Sequence, residues 1–300
     1  RQLFFNKKNT KYIVRYPHSF EQGITIPDNC EIRFEGGSLR GPIQLNNTVL
    51  SGEVKLQGSQ LSGKVKNSFF RSEWLCYMDD QNDDAGNVNA MIAVCGKVLF
   101  QKGTYRLISF HQPSAALNPK LWRINTHIGI NRSDVTLRGE EDGVVFHTKE
   151  LSGMIYIYSL PNDIPNSVRN ISIENITFIT DNDGKDFHEF FHCIKTMGVN
   201  GLTIRNCRIT DFWGDAICLS HWGDDPATGE RTRNSNVTIQ GNTIVGGEHF
   251  NTGCGIGVIS GYNVLIDKNT IKRTSKAHMP GAIDIEANNT AYTINRITIS

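Results

Sequence analysis

The sequence predicts an all-β chain: a right-handed parallel β-helix with a short N-terminal capping helix and, before it, a small β-solenoid lobe. Two observations carry the prediction. One short theme recurs through the second half of the chain, as in Asn170-Ile171-Ser172-Ile173-Glu174-Asn175-Ile176 and Asn236-Val237-Thr238-Ile239-Gln240-Gly241-Asn242. Its register residues are Ile171, Leu202, Val237, Val264 and Ile297, with a looser copy at Asp134–Arg138. Repeats spaced this far apart, with variable insertions between them, mark a stacked, quasi-one-dimensional architecture. Within each copy, aliphatic residues alternate with polar ones, the period of a half-buried strand. A second strand of the same kind lies between copies, at Cys193–Thr196, Ala216–Leu219, Gly255–Val258 and Ala282–Ile285. No helical pattern intervenes, so ordinary βαβ units are excluded. Stacked coils ~4.8 Å apart bring like residues into columns. Asn242 and Asn269 hold equivalent turn positions and are expected to stack as an amide ladder.

Taken in order, residues 1–70 carry a finer repeat. Leu39-Arg40-Gly41-Pro42-Ile43, Leu50-Ser51-Gly52-Glu53-Val54 and Leu61-Ser62-Gly63-Lys64-Val65 recur at one short, even interval. They suit a small β-solenoid or a set of stacked hairpins, sealing one end of the large domain. Strands are also expected at Ile24–Ile26 and Glu31–Phe34. The large domain then runs over 71–300. Val88, Met91, Ile92 and Cys95 fall at helical spacing, and Asp83 and Asp84 precede them, where carboxylates suit a helix N-terminus. The next segment reads Gly96-Lys97-Val98-Leu99-Phe100-Gln101-Lys102-Gly103-Thr104-Tyr105.

This aspartate-rich loop, short helix and Gly-x-Val-x-Phe-x-x-Gly-x-Tyr segment resembles the opening of the pectate-lyase superfamily. That superfamily of parallel β-helices includes polygalacturonase-like hydrolases, polysaccharide lyases and phage tailspike depolymerases. The resemblance spans roughly 71–300. It implies that the helix caps the first coil and that the partner is a carbohydrate polymer; it says little about the reaction. The sequence ends within a coil, so the repeat is expected to continue beyond Ser300.

Composition narrows the partners. Lys and Arg number 31 against 30 Asp and Glu, so overall charge points to no nucleic acid. No apolar run approaches the ~18 residues of a membrane span. Seven scattered cysteines show no CxxC spacing, which signals neither a zinc site nor a disulfide framework, and no metal is expected. Sequons at Asn170 and Asn236 fall inside the strand repeat and read as by-products of it.

Aligning the second strands on Ile194, Ile217, Ile256 and Ile283 places Lys195, Cys218, Gly257 and Asp284 in one outward column, and Met197, Ser220, Ile259 and Glu286 in the next. Asp284 and Glu286 form the sharpest candidate pair, ~7 Å apart along one strand face, within the ~6.5–9.5 Å window of an inverting glycosidase. Gly257 is expected to leave open floor beside them. Long loops entering this strand would wall a groove, and function tends to live on such loops. Together with the long connection leaving the strand after Ser220, they offer Asp215 and Glu248 as supporting acids, with Trp213, Trp222, His221 and His249 as sugar-contacting residues. Each could instead be an ordinary solvated or packed loop residue.

The polygalacturonase-like motifs are only partly retained. Gly-Asp-Asp reads Gly214-Asp215-Ala216, and Gly-His-Gly reads Gly253-Cys254-Gly255. Asp215 survives; strand parity would turn it inward, but Gly214 marks a bend where parity is no guide. A lyase would instead need a base, for which Lys195 is the outward candidate, and calcium, for which Asp224 and Asp225 are available. The leading expectation is a secreted or cell-surface glycoside hydrolase needing no cofactor, monomeric or homotrimeric. Its rivals are a calcium-dependent lyase, a non-catalytic adhesive shaft of the fibre or virion-tail kind, and an isomerase or epimerase acting on polymer sugars.

Overall fold

A computed structural model describes residues 4–111, 125–159, 168–181, 188–220, 233–246, 252–274, 278–287 and 294–300. Three parallel sheets run the length of the large domain. The first contains Thr126–Ile130, Gly153–Tyr158, Ile194–Met197, Ile217–Ser220, Ile256–Val258 and Ile283–Ile285. The second runs from Phe70–Arg71 through Lys97–Phe100, Val135–Gly139, Val168–Glu174, Val199–Arg205, Asn234–Gln240 and Gly261–Asp267 to Ile294–Ile299. The third runs from Gly103–Arg106 to Thr270–Arg273. Each coil visits the three sheets in that order. The fold is the right-handed parallel β-helix that the repeat predicts.

The register residues stack as expected. Val135, Ile171, Leu202, Val237, Val264 and Ile297 form one ladder of the second sheet. All but Ile297, in the last strand of the sheet, are buried. Each such side chain contributes ~1.5–3 kcal/mol by leaving water. The residue just before each register position has a positive φ: Asp134 60°, Asn170 57°, Gly201 79°, Asn236 54°, Asn263 56° and Arg296 57°. That left-handed corner explains the Asn and Gly in the repeat, because these residues tolerate it best. Asn236 Nδ2 donates to Asn200 Oδ1, and Asn170 Nδ2 to Asp134 Oδ1. The sequon amides are thus engaged in the corner itself.

A second corner carries the amide ladder. Asn242 Nδ2 donates to Asn269 Oδ1 at 2.9 Å and also to Ile204 O, while Asn242 Oδ1 accepts from Cys207 N. Asn242 is fully buried, so these bonds replace the water it has lost.

The helix spans Ala85–Val94 and buries Val88, Met91, Ile92 and Val94, packing against the lobe on one side and the first coil on the other. The two preceding aspartates do more than offset the helix dipole. Asp84 accepts Tyr77 N and Met78 N, and Asp83 accepts Ala85 N, Ile108 N and Ser109 N. Together they tie the helix start to the strands around it.

In the lobe, every described strand pair is parallel, so it is a solenoid and not a set of hairpins. Its ladder partners are His18 and Leu39, Ile32 and Leu50, Ile43 and Leu61, in three different sheets. The short leucine repeat therefore marks successive sides of a coil. Leu39, Leu50 and Leu61 do not stack on one another; Leu39 and Leu50 enter one core from different sides, and Leu61 packs half-buried against it.

Candidate active site

The outward face of the first sheet holds the column expected from sequence. Lys195 pairs with Cys218, Cys218 with Gly257, and Gly257 with Asp284. Tyr156 extends it by one coil beyond Lys195. In the next column Tyr158, Met197 and Ser220 are ladder partners.

The floor above Gly257 is not open, however. Asp215 sits at the bend before Ile217–Ser220, where strand alternation no longer governs its direction. Its carboxylate lies over Gly257 on the outward face, so that a Cβ at Gly257 would stand 2.5 Å from Oδ2. Parity is no guide at this bend, as Gly214 signals, and glycine at 257 is what gives the carboxylate its place.

Three contacts fix Asp215. Its Oδ1 accepts Cys254 N at 2.7 Å, its own backbone N–H donates to His192 Nδ1 at 3.0 Å, and Oδ2 lies 3.3 Å from that same nitrogen. Burial holds the His192 imidazole below its ordinary range, opposed by Asp215. A neutral ring accepting at Nδ1 carries its proton on Nε2.

The surrounding groups sense the same charges. Burial, followed by the field of Asp215, pushes the Cys218 thiol well up. Burial, then Asp215, Asp284 and Glu286, raises the Cys254 thiol to about 11. Lys195 is half-buried; burial depresses its ammonium, with Cys218 and Asp215 opposing, and its Nζ leans 5.8 Å from the centre of the Tyr156 ring.

Asp284 is half-buried in the column, whereas Glu286 is exposed just beyond the strand, with its N–H bonded to Val258 O. Ile283 is half-buried and Ile285 is 45% exposed, because Ile283–Ile285 is the last strand of its sheet. Trp213 is buried and its indole N–H has no partner among the described residues. It lies beside His188, ring centres 6.3 Å apart. Glu248, His249, His221 and Trp222 lie outside the described residues, as do Asp224 and Asp225.

His192 was not singled out from sequence, yet a signal for it exists. His192, Asp215 and Cys254 each stand two residues before the inward isoleucine of their strand, Ile194, Ile217 and Ile256. Extending the strand alignment two residues upstream puts all three in one column.

No described helix is long and apolar enough to cross a membrane. Comparison with the curated proteins and with the solved structures gives no match. A family model described as a right-handed β-helix region matches residues 129–299, which contain all the strands carrying this site. The chain belongs to the right-handed parallel β-helix family, in keeping with its resemblance to the pectate-lyase superfamily.

Proposed function

We propose that the chain is a polysaccharide-degrading enzyme, a glycoside hydrolase whose working carboxylates are Asp215 and Asp284. The observation that carries this reading is the seat of the Asp215 carboxylate over Gly257, the ladder neighbour of Asp284. Adjacent strands are ~4.8 Å apart, so the two acids stand about one coil spacing from each other. Glycosidic acid and base pairs use separations of ~5–9.5 Å. The Cys254 N–H donates to Asp215 Oδ1 and holds this carboxyl group in place, as the role of base or nucleophile requires. Asp284, one coil on, would then deliver the proton to the leaving oxygen, with Glu286 at the groove rim. Such an enzyme would meet its polymer outside the cell or at its surface.

A second reading rests on Lys195. An ammonium depressed by burial is a better base, as a lyase requires for removing the proton beside a uronate carboxylate. The test is incubation with a panel of acidic and neutral polysaccharides. The hydrolase reading expects new reducing ends from the wild type and none from Asp215→Asn, while the variant still binds the polymer. Undiminished cleavage by Asp215→Asn overturns it.

A further inference from the structure

The outward face of the first sheet also holds an uncommon combination of side chains. His192, Asp215 and Cys218 each offer one ligand atom, and these atoms all lie within 4.8 Å of one another. His192 and Cys218 are buried and Asp215 is half-buried. Imidazole, carboxylate and thiolate together suit zinc and its neighbours among the divalent transition metals; a thiolate does not suit calcium or magnesium.

The distances fit as well as the chemistry. Two N or O ligands ~2.0–2.1 Å from a tetrahedral ion lie ~3.3–3.4 Å apart. His192 Nδ1 and Asp215 Oδ2 are 3.3 Å apart, one edge of such a tetrahedron already set. Gly257 puts no side chain beside Oδ2, and the Lys195 ammonium leans toward Tyr156, on the opposite flank of Lys195 from Cys218.

We infer that His192, Asp215 and Cys218 form a binding site for one zinc-class divalent metal ion. On binding, the Cys218 thiol gives its proton to solvent as the metal–thiolate bond forms. Nδ1 exchanges the Asp215 N–H for the ion, Oδ2 supplies the third bond, and water takes the fourth position. Because Asp215 is also the proposed catalytic carboxylate, a bound ion and hydrolysis exclude one another. That corollary rests on the hydrolase reading; metal binding itself does not.

The test is titration of the full chain, reduced and metal-free, with Co(II). The wild type should show saturable binding of one ion per chain, with a thiolate-to-cobalt charge-transfer band in the near ultraviolet and the visible bands of a tetrahedral site. Cys218→Ser should lose the charge-transfer band and Cys254→Ser should keep it. Asp215→Asn, which changes no buried thiol, should bind at least about tenfold more weakly. Absence of the band in the wild type, its survival in Cys218→Ser, or unchanged affinity in Asp215→Asn overturns the site. A Co(II) signature of this kind, with no glycan cleaved by the metal-free chain, leaves the metal site standing and removes the hydrolase reading; cleavage by the metal-free chain without the signature does the reverse.

Discussion

The carboxylate of Asp215 occupies the space that a side chain at Gly257 would fill, with Oδ2 2.5 Å from the position of the missing Cβ. Two residues distant in sequence are thereby bound into one site, and the relationship is directly testable. Gly257→Ala should push the carboxylate out of place while the coil persists. A displacement of ~1 Å in a reacting group can cost ~100-fold in rate. The expected outcome is a loss of that order in kcat, read from reducing-end release, with the circular dichroism of the β-helix retained.

The acids Asp284 and Glu286, within and just beyond the strand Ile283–Ile285, should separate under mutation. Asp284 stands in the ladder beside Gly257, whereas Glu286 is exposed beyond the strand. Asp284→Asn should lower kcat by ~10²–10⁴-fold, the usual contribution of a positioned acid or base. Glu286→Gln should change kcat by less than about tenfold. Equal losses from both would restore the pairing of Asp284 with Glu286 that their spacing along one strand suggests.

Buried histidines make stability depend on pH in a defined direction. His127 is buried, its Nδ1 2.8 Å from Ser109 O and its Nε2 2.7 Å from Ser152 Oγ. Burial lowers its pKa, and that of His192, below the ordinary 6.5. The unfolded chain therefore binds more protons than the folded one just below that pH. Stability is fully present above about 6.5 and is lost as pH falls toward the folded-state values. Thermal melts should show Tm falling between about pH 7 and pH 5, and His127→Asn should flatten that fall. A Tm that rises on acidification would contradict the assignment.

Asn242 tests the corner ladder. Asn242→Ala removes the acceptor for Cys207 N and the donor to Asn269 Oδ1. Cys207 N is left without its acceptor, at a cost of ~1–3 kcal/mol, and the ladder loses its side-chain donor, although Asn269 Oδ1 keeps the Asn242 backbone N–H. A fall in unfolding free energy of a few kcal/mol is expected in urea titration, whereas Asn47→Ala, in the lobe, should leave this corner intact.

Much of this was legible because stacking turns sequence intervals into contacts. Once Ile194, Ile217, Ile256 and Ile283 share a register, Lys195, Cys218, Gly257 and Asp284 must share the opposite face, and they do. Alternation fails at bends, where the chain leaves the sheet, and the site lies at one. Asp215 and His192 stand before their strands begin, so their directions are set by hydrogen bonds to Cys254 N and Asp215 N instead of by period two. In the lobe the solenoid was legible, but the repeat interval is not the stacking interval. Leu39, Leu50 and Leu61 recur at a short interval because a coil there has short sides, while true stacking partners such as Ile32 and Leu50 lie farther apart in sequence.

The central claim is that Asp215 drives hydrolysis in a groove on the first sheet. Its most direct measurement follows reducing ends and the ultraviolet absorbance of unsaturated products together, in one reaction, for wild type and Asp215→Asn. The account predicts reducing ends without absorbance from the wild type, and neither signal from the variant. Absorbance rising with the reducing ends, or cleavage that persists in Asp215→Asn, would contradict it.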